Sequence, residues 1–336
     1  MKNIKNDIKT GEYKRVYLLY GKENYLKRLY ANKLQKGILP EDDSMNMTVI
    51  QGDSFDLNEF RGMCDTMPFF ADRRCILVNR SGKFKASKKE TEDKPEKKSE
   101  GKEGLAEYIS LIPDTTTVIF VEDEVDKRGK LFKAVKEQGY ACEMNELDER
   151  DLILWIATEF RSLGKGISEA TAKFLLEWSG INMENLKIEI EKLGFYALDR
   201  DSVEKKDIEA VCTKELRAVI FDMTDAVAVG DMKRALAVYE RLNALKEPVQ
   251  LTWRMLIRHY TQLLVVKELK AEGKSQGEIT SILGIHPFAV QKLMQQVGNF
   301  KRSALRAKLE YGVQLEQDMK NGKIAEKNLV ELFILG

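Results

Sequence analysis

A mononucleotide-binding loop needs the spacing G-x-x-x-x-G-K-[ST], so that backbone amides cradle the phosphates and a hydroxyl meets magnesium. The first apolar run, Val16 to Tyr20 (VYLLY), ends at Gly21 and Lys22. The second glycine and the Ser/Thr are missing. The one Gly-Lys-Ser, Gly273 to Ser275, has Glu268 in the first-glycine position and lies in helical surroundings. The run VIFV is followed by Glu122, Asp123 and Glu124, placed like the magnesium-holding acids of an ATPase. Without phosphates to act on, they read as solvated acids at a strand end.

Other chemistry is sparse. The four cysteines, Cys64, Cys75, Cys142 and Cys212, form no CxxC pair, which leaves neither a zinc ribbon nor a redox dithiol. They read as core thiols of a reducing cytosol. The only histidines are His259 and His286, too few for a His-rich metal site, and a Ser-His-Asp triad would need one of them. Residues 275–297 have the apolar spacing of a helix-turn-helix. Its second helix offers Gln291, Lys292, Gln295 and Gln296 to base edges. Such helix pairs are also common in all-helical domains. The expected sites therefore include no catalytic, cofactor or metal residue.

One stretch stands apart: MPFFADRR, Met67 to Arg74. Neighbouring side chains diverge by about 100° on a helix and point to opposite faces on a strand. One packed surface therefore takes both Phe69 and Phe70 poorly. Pro68 also restricts helical continuation from the residue before it. Two readings stay level: one ring in the core with the other on a helix end, or an exposed aromatic wedge for a partner's pocket.

The elements around these residues alternate at first. Buried-strand patterns occur at Val16–Tyr20, 47–50 (MTVI), 75–78 (CILV) and 116–121 (TTVIFV), with helical spacing at 24–37, 55–63 and 131–138. The 55–63 helix has Ser54 or Asp56 as its cap. Short apolar strands separated by helices imply a parallel sheet covered on both faces. The run at 81–104 is charged and nearly devoid of apolar residues, and reads as a flexible surface loop. After about Asn145 the pattern is helical throughout. Helices are expected at 148–163, from Ser168 to Gly180, at 183–193 and near 203–208. Longer ones follow at 218–229, 232–245, 249–272, 275–283, 287–297, 301–319 and 326–335, with glycines between several of them. The fold class is α/β plus all-α, with domains expected at 1–145, 146–212 and 213–336.

Composition limits the function. Lys+Arg 55 against Asp+Glu 54 gives a net charge of +1, which speaks against a stand-alone nucleic-acid binder. The N-terminus is too charged for a signal peptide, and no apolar run approaches the ~18 residues of a membrane span. A cytoplasmic protein is expected.

Taken together, VYLLYGKENYL at 16–26, MPFFADRRCILV at 67–78, TVIFVEDEVDKRGKLFKAV at 117–135, the helices from DLILWIA, and LTWRMLIRHYTQLL at 251–264 resemble the delta subunit of the bacterial DNA polymerase III clamp loader. The resemblance runs over nearly the whole chain. It implies a degenerate AAA+ architecture: a RecA-like domain without a phosphate loop, a helical lid and a helical collar. It further implies a non-catalytic subunit of the replicative holoenzyme that binds and opens the sliding clamp for loading onto primed DNA. The partners so implied are the clamp (beta subunit), ATPase motor subunits and delta-prime in a hetero-oligomeric ring, and no cofactor. Met67, Phe69 and Phe70 fall at the clamp-binding positions. The chain departs from the family pattern by carrying Pro68 and Phe-Phe rather than a Leu-Phe pair. Lys301, Arg302, Arg306 and Lys308 are candidate DNA or subunit contacts. The competing expectations are a helix-turn-helix regulator and an active AAA+ ATPase.

Overall fold

The computed structural model describes residues 2–39, 43–86 and 103–336, and shows two compact units, Met1–Glu146 and Leu147–Gly336. In the first unit the elements run α1 (Lys2–Thr10), β1 (Val16–Tyr20), α2 (Asn24–Ile38), β2 (Met47–Gln51), α3 (Leu57–Asp65) and β3 (Arg74–Asn79). Helix α4 is described over 103–108, followed by β4 (Thr116–Glu122), α5 (Lys130–Gln138) and β5 (Tyr140–Glu143). The charged run expected to be a flexible loop lies largely outside the described residues.

The strands form one sheet in the order β2-β3-β4-β1-β5, and every pairing is parallel. β1 and β4 are almost wholly buried, as their unbroken apolar runs require when helices cover both faces. Val16, Leu18, Ile76, Val78, Val118 and Phe120 meet Phe60, Tyr108 and Val135 in the core. Helix α1 and strand β5 were among the elements not legible in the sequence. Helix α1 is masked by lysines, yet Ile4 is fully buried and Asp7 accepts a hydrogen bond from the Tyr17 hydroxyl at 2.8 Å. Strand β5 is a four-residue edge with a single buried position, Cys142.

The second unit begins with α6 (Glu149–Ser162), α7 (Glu169–Ser179), α8 (Met183–Tyr196) and α9 (Lys205–Val211). Asp148, Ser168 and Asn182 cap the first three by accepting from backbone N–H groups. A two-residue parallel pair, β6 (Gly166–Ile167) with β7 (Ser202–Val203), ties their loops together. Then come α10 (Leu216–Ala228), α11 (Met232–Ala244), α12 (Val249–Ala271), α13 (Gln276–Leu283), α14 (Pro287–Gln296), α15 (Arg302–Lys320) and α16 (Leu329–Leu335). Each lies within three residues of its expected bounds. Trp253 and Tyr260 meet Phe333 edge-on at 5.3 and 5.2 Å in the centre of this bundle.

Candidate functional site

In an open α/β sheet, ligands bind outside the carboxyl ends of the strands where strand order reverses. Here that place is the end of β1, which lies between β4 and β5. The β1–α2 connection is only Gly21, Lys22 and Glu23. Gly21 has φ +122°, and a Cβ there would stand 2.4 Å from the Met144 carbonyl, so only glycine fits. The Glu23 carboxylate caps α2 by accepting from the Tyr25 N–H at 2.9 Å. An acid thus caps the helix N-terminus at the position where nucleotide-binding sheets of this kind place a phosphate.

The acids after β4 are engaged within the fold as well. Lys27 on α2 is almost completely buried and donates to the Glu122 carbonyl at 3.1 Å and to Asp123 at 2.7 Å. Arg80 approaches Asp123 from the other side at 3.1 Å. The bond with Lys27 is the first cause that holds the Asp123 carboxyl below its usual range. Glu122 corrects the expectation of a solvated acid. It is 1% exposed and accepts from the Ser81 N–H at 2.8 Å and the Ser81 hydroxyl at 2.5 Å. Its side chain faces inward because the residue is the last of β4 rather than part of the loop. Burial pushes its carboxyl upward, and the Ser81 bonds partly offset this.

At the opposite, amino edge of the sheet, residues 66–73 link α3 to β3. Both ends of the link are pinned. The Thr116 hydroxyl donates to the Cys64 carbonyl at 2.8 Å, and Tyr108 donates to Asp65 at 2.6 Å. Where the link rejoins the sheet, the Arg74 and Cys75 amides donate to Thr115 and Asn46 carbonyls at 2.8 and 2.9 Å. Arg73 reaches Thr117 and Arg74 reaches Thr48, so the two arginines lead the chain back into β3. Between these anchors neither phenylalanine enters the core. Met67 is 74% exposed, Phe69 54% and Phe70 95%. The two rings stack edge to face on each other, with centroids 4.5 Å apart. Phe70 has φ +52°, a left-handed conformation that costs a non-glycine residue roughly 1–2 kcal/mol. The reading with one ring in the core is thus excluded, and both rings stand in solvent.

The site includes residues that sequence reasoning missed. Asn46, fully buried just before β2, donates from Nδ2 to the Phe69 carbonyl at 2.8 Å and accepts the Phe69 N–H on Oδ1 at 2.7 Å. Asp43 accepts from the Asn46 amide nitrogen and from its backbone N–H, bonds that lower the Asp43 carboxyl's pKa. Met45, one residue before this clamp, is a further exposed apolar side chain at 63%.

The remaining candidates are mostly engaged within the second unit. Arg302 and Arg306 both reach Glu268, at 2.5 and 3.1 Å, from an exposed face of α15 that also carries Lys301 at its start. Lys308 is tucked in: it donates to the Ile334 carbonyl at 3.3 Å over the Phe333 ring, and burial lowers its pKa. The helix pair α13–α14 exists, with Ser275 and Glu278 forming a capping box and Gly284 in the left-handed cap. Its second helix packs one face inward, with Gln291 and Lys292 half-buried and Gln295 left exposed. Gln296 is buried between His259 at 2.6 Å and Asp225 at 2.7 Å, and Lys292 approaches Glu177 at 3.6 Å. Burial drives the His259 pKa down to about 4. His286 caps α14 and bonds the Leu147 carbonyl at 2.8 Å. Among the described residues no group of three or more His, Cys, Asp or Glu side chains could hold a metal, and no helix is long and apolar enough to cross a membrane.

Comparison with known proteins places the chain among relatives of one family. The family model described as DNA polymerase III, delta subunit matches residues 17–145, and that of the DNA polymerase III delta subunit, C-terminal domain matches 217–336. The chain is 26% identical to the DNA polymerase III subunit delta of Bacillus subtilis, covering 99% of this chain and 95% of the relative. It is 24% identical to a probable DNA polymerase III subunit delta of Aquifex aeolicus, covering 81% and 76%. Among solved structures, the Bacillus subtilis DNA clamp loader delta protein superposes with a TM-score of 0.75 at 25% identity, covering 99% of this chain and 98% of that one.

Proposed function

The chain belongs to the DNA polymerase III delta-subunit family, and from that premise we propose that it grips the sliding clamp with Met67, Phe69 and Phe70 and favours the open ring. The observation that carries this reading is the exposure of three apolar side chains on a loop whose two ends are pinned to the sheet. Exposed apolar side chains clustered on a well-held loop mark an interaction site. Burying each Phe in a partner's pocket is worth roughly 1.5–3 kcal/mol. A pair in one pocket forms a hot spot whose truncation costs on the order of 2–4 kcal/mol.

The wedge need not supply the whole work of opening. It shifts the clamp toward the open state by the difference between its affinities for the two states. The chain itself does no nucleotide chemistry in this reading, because the carboxyl edge of its sheet is occupied by its own ion pairs. ATP acts in neighbouring motor subunits that cover or release the wedge. Residues 1–145 serve as the degenerate RecA-like domain, 146–212 as the lid and 213–336 as the collar that holds the hetero-oligomeric ring. Lys301, Arg302 and Arg306 offer an exposed basic face to a neighbouring subunit or to primed DNA, while Lys308 supports the packing of α16.

Gel filtration of the full chain with purified sliding clamp, without nucleotide, tests the assignment. The wild type co-elutes, and Phe69→Ala with Phe70→Ala elutes apart from the clamp while its thermal unfolding is unchanged. Co-elution of that double variant with undiminished affinity would exclude the wedge.

A further inference from the structure

Phe70 occupies a backbone conformation that its own side chain disfavours, in a loop whose apolar groups make no use of the core. Left to itself such a loop spreads over many conformations, and only part of the population would present both rings. One interaction reaches into the middle of the loop rather than its ends. The Asn46 side-chain amide takes both the N–H and the C=O of Phe69, at 2.7 and 2.8 Å. It does for one residue what a neighbouring strand does for a hydrogen-bonded pair. Asn46 can act as a fixed partner because it is fully buried and held from three sides. Its carbonyl receives the Cys75 amide at 2.9 Å, and Asp43 receives its backbone N–H at 3.2 Å and its side-chain nitrogen. A carboxylate of the same size would keep the acceptor and lose the donor, so the amide is what the geometry requires.

We propose that Asn46 is a positioning residue for clamp binding: it presets the Phe69–Phe70 wedge before the partner arrives and sets the association rate without touching the clamp. The proposal rests on the wedge reading above. It distinguishes Asn46 from a contact residue by kinetics. Truncating a contact shortens the life of the complex. Removing a preset conformation instead reduces the competent fraction, and hence the rate of productive encounter. Once the rings are seated, the pocket itself holds the loop, so dissociation changes little.

The experiment measures association and dissociation rates of full-length variants on immobilised sliding clamp, together with backbone amide hydrogen exchange. Asn46→Ala is expected to slow association about tenfold with little change in dissociation. The Phe69 amide should exchange about tenfold faster, while the amides of β1, β3 and β4 keep their protection. Asp43→Ala, which frees the Asn46 amide without removing it, should slow association less and in the same direction. Phe69→Ala should mainly speed dissociation. Unchanged association in Asn46→Ala, with binding lost in the double phenylalanine variant, overturns the positioning role and leaves the wedge standing. Unchanged binding by the double phenylalanine variant overturns the wedge and the positioning role together. If Asn46→Ala loosens the sheet amides, Asp43→Ala decides: slower association supports the proposal, and wild-type association overturns it.

Discussion

The two edges of the five-stranded sheet are opposites. At the carboxyl edge, polar groups that might have served chemistry are consumed by the fold: Glu23 on a helix end, Lys27 against Asp123, Glu122 on Ser81. At the amino edge, apolar groups that might have been consumed by the core stand in solvent, with Phe70 almost fully exposed. Burying charge is costly unless every group finds a partner, and the carboxyl edge meets that condition internally. Exposing large apolar groups is also costly, and nothing within the described fold offsets it at the amino edge. In the proposed reading, a parallel-sheet domain keeps its architecture while its working surface moves to the edge opposite the usual ligand crevice.

Breaking the amino edge should have the largest effect. Phe69→Ala with Phe70→Ala should weaken clamp binding by roughly 2–4 kcal/mol, as titration with labelled clamp would show, and leave the unfolding midpoint unchanged. The contrast extends to the second unit, where His259 is consumed inside as the acids are. Its folded pKa, about 4, lies below that of the unfolded ring, so its contribution to stability is present above about pH 6.5 and is lost as pH falls toward 4. Urea titrations should show about 3 kcal/mol of pH-dependent stability from this group, a slope that His259→Gln removes. Breaking the carboxyl edge should act on stability alone. Lys27→Ala leaves Asp123 half-exposed with Arg80 and the field of Lys85 in place of its buried partner, so the loss should be about 2 kcal/mol by chemical denaturation, at unchanged clamp affinity. The smallest effect belongs to Glu23→Ala, which removes a helix cap for roughly 0.5–1 kcal/mol. Nucleotide binding by that variant, read by fluorescent-nucleotide titration, should stay at background. If uncapping α2 creates a nucleotide site, the carboxyl edge is a blocked pocket rather than a rebuilt one.

Much of this was legible in the sequence, for reasons that also explain the gaps. VYLLY and TTVIFV announce β1 and β4 because strands covered on both faces are apolar at every position. The long helices of the second unit carry stripes wide enough to read directly. The wedge was legible as an anomaly: two adjacent rings after a proline that no single packed face could take. What holds it was not. Asn46 is a lone amide before a short strand, and its bonds cross 23 positions to Phe69. No local pattern marks such a partner. The inward turn of Glu122 was hidden for a similar reason: Ser81 lies 41 positions away, and only the sheet brings the two together. Helix α1 and strand β5 bury too few side chains to show a period.

In the proposed reading this chain acts on the clamp by presenting a preformed apolar wedge, with no chemistry of its own. A fluorophore pair placed across one interface of the sliding clamp tests it most directly, read as the full-length chain is added without nucleotide. The pair is expected to separate with the wild-type chain and to stay together with Phe69→Ala/Phe70→Ala. Equal separation by the double variant, or separation only when this chain alone is given ATP, would contradict it.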